Sequence, residues 1–423
     1  MLKIIEKILA FLAKRVIRQY KPEIIGITGS VGKTSAKEAI AGLLSAHFKV
    51  RETYKNYNNE IGLPLSILGL SSPGRSILGW LKTFVRAWKM GSQKIDYPEV
   101  LVLEMGIDRP GDMDYLTKIV KPTRAVITKL GQAHLEFFNS LDHLHNEKIK
   151  LTEAVTEDGW VIYNYDDEKL RELAEKSTRR TISFGFSKEA DISAEELSVI
   201  QGKNNEIGTA FKLKLEGSFI PVFLPGAIGH PPVYSALAAI AVAFSYGING
   251  IMMADVLEKA KRPAGRLQLI NGINNSLIID DTYNSSPDSV FAGLKAIHDI
   301  PIEKRKRVWA ILGSMKELGK LSQQGHEDVG RAACEYADLI VGVGAEAKTI
   351  FEVARDNGCE NIWHFGNSDE AAKALEKMIE PGDLLFVKGS QAARMEKVVK
   401  KLMFDSNKAK DLLVRQGSEW RDK

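Results

Sequence analysis

The chain has 423 residues, too many for one ordinary hydrophobic core, so two or three domains are expected. With 44% hydrophobic and 26% charged residues it belongs with folded globular proteins, not with disordered or fibrous ones. A net charge of +4 is too mild for a dedicated nucleic-acid binder, and no nucleic-acid partner is expected. The only cysteines, Cys334 and Cys359, lack a metal-ligand spacing and point to free thiols in a reducing, cytoplasmic setting.

At the N-terminus Leu2, Ile5, Leu9, Leu12 and Val16 recur at helical spacing. Lys3, Glu6, Lys7, Lys14, Arg15 and Arg18 interrupt the ~20 apolar residues that a bilayer span needs. Residues 1–21 therefore read as an amphipathic helix with a basic face, packed on its own protein or laid on a membrane or partner.

From Glu23 onward strands and helices alternate. Ile24–Ile27, Val100–Leu103, Ala125–Ile127 and Trp160–Tyr163 are short buried-strand runs, with helices at Ser35–Phe48 and Leu141–Thr156. That alternation implies a mostly parallel sheet covered on both faces. Within residues 71–96, Ile77, Trp80, Leu81, Phe84, Val85 and Trp88 stand at helical spacing. Arg75, Lys82, Arg86, Lys89 and Lys94 are interleaved with them.

Leu197–Val222 alternates as a small antiparallel addition. The helix-rich Val233–Lys261 ends at Arg262-Pro263, a hinge. Leu277–Ile279, Arg307–Leu312, Leu339–Val343 and Leu384–Val387 then restart the α/β pattern, with helices at Ser289–His298 and Ser390–Leu402. The expected fold is α/β: a mostly parallel-sheet central domain at 22–262, which the Gly-Lys-Thr turn at Gly32–Thr34 marks as a P-loop ATPase domain, and a smaller Rossmann-like α/β domain at 263–423.

The stretch Ile24 to Thr34, IIGITGSVGKT, runs from strand to helix through a glycine turn. Backbone N–H groups that glycine exposes, added to the partial positive charge of a helix N-terminus, make such a turn a triphosphate cradle. Gly29, Ser30, Val31, Gly32, Lys33, Thr34 and Ser35 are expected to hold ATP. Lys33 would neutralise the β- and γ-phosphates, and the Thr34 hydroxyl would coordinate Mg²⁺. Ile27 stands where the usual Walker A pattern has its first Gly, so the reading rests on Gly-Lys-Thr in its strand–turn–helix context. Glu104 ends a buried strand before the Pro110-Gly111 turn, a natural place for a hard carboxylate ligand to Mg²⁺. Gly342-Val343-Gly344 mimics a dinucleotide fingerprint, but no acidic residue ending a later strand supports it, and it reads as a strand–helix turn.

Eight stretches in order carry a resemblance: TGSVGKTS, NYNNEIGLPLSIL, LEMGIDRPGDM, AHLEFFNSLDHLHNEK, RPAGRLQ, IDDTYNSSPDS, ILGSMKELG and VKGSQAARME. From about Glu23 to about Leu402 the chain resembles the Mur ligase family, and within it the MurF type. The resemblance implies an ATP-dependent ligase that makes an acyl phosphate and couples it to an amine. The expected partners are a nucleotide-linked peptide and an amine dipeptide such as D-alanyl-D-alanine.

It implies two Mg²⁺ ions, one on Thr34 and Glu104 and one near the γ-phosphate on His134 and Lys148. Lys148, with Lys150 as the nearest rival and Lys129 a distant one, would be carbamylated, which turns a cation that the metals repel into an anion that they attract. The implied catalytic set is Lys33, Glu104, His134, Lys148 and Lys388, the last facing the cleft. Arg266 and Asp281 would hold the ribose of ATP. Asn56, Asn58 and Asn59, with Asn284 and Asp288, would meet the substrate. Turn formation and capping remain the alternative for these asparagines, for Asp288 and for Lys388.

The chain also departs from the family. Only residues 1–21 precede the nucleotide domain, so the UDP-gripping front domain is expected to be missing. His230-Pro231-Pro232-Val233-Tyr234-Ser235 stands where the family reads His-Asn-x-x-x-Asn, removing an adenine contact. Gly313-Ser314 replaces Gly-Asp, and Gln391 replaces a common Arg. Residues 71–96 are an insertion that forms with 1–21 either a structural cap or a basic, aromatic surface for a membrane or for substrate. The expectation is a cytoplasmic monomer, with peripheral membrane contact through these helices left open. Rival readings are a folate polyglutamylase, a polyamino-acid synthetase and a non-catalytic ATP-binding scaffold of wall synthesis.

Overall fold

Strands buried on both faces need apolar side chains in both directions, which is why the runs read from the sequence are continuous and not alternating. The computed structural model describes residues 2–54, 57–131, 137–202, 206–260, 263–298, 300, 306–417 and 420. The chain divides into two compact units. One comprises Met1–Glu195, Lys212–Val222 and Tyr234–Ala260, the other Glu196–Phe211, Phe223–Val233 and Lys261–Lys423.

In the first unit the strands are β1 (Glu23–Thr28), β2 (Val50–Glu52), β3 (Val100–Glu104), β4 (Arg124–Ile127), β5 (Trp160–Asn164) and β6 (Arg180–Gly185). Their order is β2-β3-β1-β4-β5-β6, and each neighbouring pair is parallel. β7 (Ile192–Gln201), β8 (Ile207–Leu215) and β9 (Ser218–Pro225) continue the order through short connections, with residues divided between the two units. β1 lies between β3 and β4, where the strand order reverses direction. Such a reversal opens a crevice at the carboxyl ends of the strands, and the glycine loop sits there.

The helices of this unit include α1 (Leu2–Tyr20), α2 (Lys33–Leu44), α3 (Gly62–Leu68), α4 (Ile77–Met90), α5 (Asp112–Ile119) and α6 (Leu141–Glu153). α1 buries Ile5, Leu9, Leu12, Ala13 and Val16, the stripe its spacing predicts, in one core with residues of α3, α4 and β3. Arg15 ties α1 to α4, its Nε donating to Gly91 O (3.0 Å) while its guanidinium lies 4.1 Å over the Trp88 ring. Tyr20 stacks on Tyr97 with ring centres 4.6 Å apart. Among the described residues no helix is long and apolar enough to cross a membrane.

The second unit holds a sheet of β10 (Gln268–Asn271), β11 (Leu277–Asp281), β12 (Val308–Gly313), β13 (Leu339–Val343), β14 (Ile362–Phe365) and β15 (Leu384–Lys388). The order is β10-β11-β15-β12-β13-β14, parallel throughout except for β10 against β11. β13 leads through Gly344, at φ +96°, into the helix Lys348–Asp356, so Gly342-Val343-Gly344 is a strand–helix turn.

One expectation is corrected here. Cys334 and Cys359 are not separate thiols but a disulfide, with Cα atoms 6.2 Å apart. The pairing follows from packing of the helix Ser322–Tyr336 against Lys348–Asp356, a tertiary contact that cysteine spacing does not display.

Candidate active site

β1 delivers the chain to the phosphate loop and α2 carries it away. Gly29 and Gly32 have φ of +145° and +85°, where a side chain is costly, and a Cβ on Gly29 would collide with Thr128 Oγ1. The neighbouring strand holds the loop in shape: Thr128 Oγ1 donates to Val31 O (2.6 Å) and Ser30 N to Lys129 O (2.7 Å). α2 begins at Lys33 with no side-chain cap, an arrangement suited to an anion at the helix N-terminus. Ser35 lies in the same first turn.

Lys33 Nζ folds back over the loop to Gly29 O (2.8 Å). Thr34 Oγ1 donates to Glu104 Oε2 (2.9 Å). Glu104 ends β3 beside β1 and is buried; Asn58 Nδ2 donates to its Oε1 (3.1 Å) and its own N–H goes to Thr53 Oγ1 (2.9 Å). A hydroxyl and a carboxylate meeting at the end of a phosphate loop are both hard oxygen donors, the type Mg²⁺ takes. Among the described residues no three His, Cys, Asp or Glu side chains form a metal cage. A cation held by Thr34 and Glu104 would therefore complete its shell from phosphates and water.

Lys148, on α6, is 1% exposed and reaches the same loop. Its Nζ donates to Ser30 Oγ (2.8 Å). That hydroxyl also accepts from Gly131 N (2.8 Å) and donates to Gly131 O (2.9 Å), so its one proton and both lone pairs are used. Burial, and then the charge of nearby Lys33, pull the Lys148 pKa down to about 7.

Of the other residues in this unit, Asn59 Oδ1 accepts from Gly62 N (2.9 Å) at the start of α3 and so acts as a cap. Asn58 and Asn59 line a small indentation with Gly106 and Asp108. Asn56 and His134 lie outside the described residues.

In the second unit the ends of β11 and β15 carry the chemistry. Asp281 pairs with Lys388 (2.5 Å), and Lys388 Nζ also donates to Asn284 O (2.9 Å). Lys388 is buried; burial pulls its pKa down while Asp281 pulls it up. The Arg266 guanidinium lies 3.9 Å over the Tyr283 ring. Asn284 and Asp288 are exposed, Asp288 in the first turn of the helix Pro287–His298. A cleft of about 370 Å³ is lined by Asn284, Lys316, Ser390, Gln391, Arg394 and Trp420, among others.

The structure thus gathers Ser30, Lys33, Thr34, Asn58, Glu104 and Lys148 at one crevice, and Asp281, Asn284 and Lys388 at another place. Sequence reasoning missed Thr53 and Thr128, which hold Glu104 and the loop from behind. For Thr128 a signal existed, a hydroxyl residue directly after an apolar strand. Thr53 follows β2, whose three residues are too few to read as a strand.

Two family models match the chain: the Mur ligase middle domain over residues 27–243, and the Mur ligase glutamate ligase domain over residues 265–391. The UDP-N-acetylmuramoyl-tripeptide–D-alanyl-D-alanine ligase of Bacillus subtilis is 29% identical over 395 residues, covering 93% of this chain and 78% of that protein. The protein of the same name from Mycobacterium tuberculosis is 30% identical over 402 residues, covering 90% and 73%. Among solved structures, the MurF ligase from Thermotoga maritima in complex with ADP is similar with a TM-score of 0.78 at 28% identity, covering 94% of this chain and 83% of that one. With its phosphate loop, its strand order and both domain models in agreement, the chain belongs to the Mur ligase family.

Proposed function

We propose that this protein is an ATP-dependent ligase that activates a carboxylate as an acyl phosphate and joins it to an amine. One observation carries the reading: Lys33, Thr34, Glu104 and Lys148 converge on the loop at the carboxyl end of β1. The shared name of its relatives supplies the substrates, a UDP-N-acetylmuramoyl tripeptide as carboxylate and D-alanyl-D-alanine as amine.

A carboxylate oxygen attacks the γ-phosphorus of ATP, the bond to the β–γ bridging oxygen breaks, and ADP leaves with that electron pair. The amine nitrogen then attacks the acyl carbon, phosphate departs, the nitrogen loses a proton and an amide remains. Backbone N–H groups of residues 31–34 cradle the phosphates, and Lys33 neutralises charge gathering on the β- and γ-oxygens. Thr34 and Glu104 would hold one Mg²⁺, and His134 with carbamylated Lys148 a second; bound there, the ions supply positive charge to the transferring phosphoryl group. The lowered pKa of Lys148 favours the uncharged amine that reacts with CO₂. Arg266 and Asp281 serve the ribose, and Asn56, Asn58, Asn59, Asn284 and Asp288 the substrates. Lys388 holds Asp281 in place.

The test is a condensation assay with ATP, Mg²⁺, the tripeptide nucleotide and D-alanyl-D-alanine, with product mass and phosphate both measured. Amide product with phosphate release dependent on both substrates is expected. ATP binding without turnover across a panel of carboxylates and amines would overturn the reading.

A further inference from the structure

α4 shows apolar side chains on two sides. Trp80, Thr83 and Ala87 turn into the core, whereas Ile77, Leu78, Leu81, Val85 and Trp88 face outward, Leu78 at 72% and Leu81 at 60% exposure. A contiguous apolar stripe turned to solvent on a well-packed helix marks an interaction surface. On α1, Ile4, Phe11 and Arg15 are spaced seven and four apart and so share one helix face. Arg15 on that face is the residue lying over Trp88, and Ile4 and Phe11 are exposed. α1 and α4 therefore meet at Arg15 and Trp88, each helix carrying exposed apolar side chains.

The charge on these segments is one-sided. Residues 1–21 and 71–96 hold eleven Lys and Arg and two acidic residues, Glu6 and Asp96, a net charge of +9. The whole chain is only +4, so everything else is net −5. Lys82, Arg86 and Lys89 are exposed on α4 beside the apolar stripe, and among the described residues none of them makes an ion pair.

We infer that α1 and α4 form a peripheral docking surface for a bilayer containing anionic phospholipid. The apolar side chains enter the headgroup boundary, and the basic side chains meet lipid phosphates. Charge complementarity selects this occupant. Protein–protein interfaces are depleted in lysine around their apolar centre, whereas an interfacial membrane helix borders its apolar face with Lys and Arg. Trp88, half-exposed at the junction of the helices, suits the headgroup level. The inference does not depend on the ligase chemistry.

Flotation of the full-length protein with vesicles of phosphatidylcholine alone, or mixed with phosphatidylglycerol, tests it. Binding to the mixed vesicles, weakened by high salt, is expected, with little on phosphatidylcholine alone. Leu78→Glu, Leu81→Glu and Val85→Glu together should reduce the bound fraction at least about ten-fold while thermal unfolding stays unchanged, because these side chains face solvent. Lys82→Glu, Arg86→Glu and Lys89→Glu together should do the same, removing the charge and leaving the apolar stripe. Absence of vesicle binding overturns the proposal, as does equal binding to both vesicle types. Concentration-dependent self-association that the first variant abolishes, without vesicle binding, would make the surface a protein interface and overturn it too.

Discussion

Lys148 Nζ and Ser30 Oγ are 2.8 Å apart, so a buried lysine from α6 touches the phosphate loop 118 residues earlier in the chain. A cation so placed, buried, beside Lys33 and with no carboxylate partner among the described residues, is pressed toward its neutral form. Neutral amine is the species that adds to CO₂, forming a C–N bond and releasing a proton from nitrogen. Protein incubated with isotopically labelled bicarbonate should show a carbamate carbon signal that Lys148→Ala lacks. The same variant should lose at least about a hundred-fold in kcat, and Lys148→Arg should not restore it. A labelled signal that persists in Lys148→Ala would place the carbamate elsewhere.

Thr34 and Glu104 are expected to act as one cation site. Glu104→Gln keeps the shape but removes the anion, and should raise the Mg²⁺ concentration for half-maximal activity and lower kcat/KM by about 10²–10³. Thr34→Ser, which keeps the hydroxyl, should stay within about ten-fold of wild type. Magnesium titration of both variants checks the pairing, and an unchanged Mg²⁺ dependence in Glu104→Gln would refute it.

At Gly29 the backbone stands at φ +145° and a Cβ would meet Thr128 Oγ1. Gly29→Ala should therefore cost about 1–3 kcal/mol in unfolding free energy and displace the loop. Calorimetry for nucleotide binding should show at least about ten-fold weaker affinity at unchanged stoichiometry.

Asp280 carries a pH signature. It is fully buried; its Oδ1 accepts from Thr282 N (3.1 Å) and Thr282 Oγ1 (2.6 Å), while its Oδ2 has no hydrogen-bond partner among the described residues. Burial raises its pKa from 3.8 to about 7. A carboxyl group raised in this way contributes stability that is complete below pH 3.8 and lost as pH climbs through about 7. Asp280→Asn removes that titration, so its stability relative to wild type should rise across the same window, by roughly 4 kcal/mol at most. Urea unfolding at acidic and neutral pH measures the difference, and parallel curves for the two proteins would contradict it.

The two faces of the N-terminal layer should respond differently. Leu9→Ala removes a fully buried side chain and should destabilise by about 2–5 kcal/mol. Leu81→Ala, on the outward stripe, should change stability by less than about 0.5 kcal/mol. Thermal unfolding separates the two.

The phosphate loop, β1, β3 and β4 were legible because each is contiguous: an apolar run, a glycine turn and an amphipathic helix are local patterns. The helices α1 and α4 were legible for the same reason. Their covered sides were not, because α4 has apolar residues around most of its circumference. Packing against α1 and the core selects Trp80, Thr83 and Ala87 for burial and leaves Leu81 and Trp88 outside. The Thr53 hydroxyl under Glu104 and the Cys334–Cys359 bond were unreadable because short polar loops and lone cysteines carry no periodicity.

By itself the sequence determined the nucleotide loop, the α/β alternation, the family and the strongly basic character of residues 1–21 and 71–96. Tertiary structure alone decided that Lys148 reaches Ser30, that Lys388 is spent on Asp281, and that one apolar stripe of α4 stays uncovered. The division has a physical cause. Backbone geometry and hydrophobic period are set by neighbours within a few residues. Hydrogen bonds, ion pairs and burial are set by which distant segments the sheet order brings side by side.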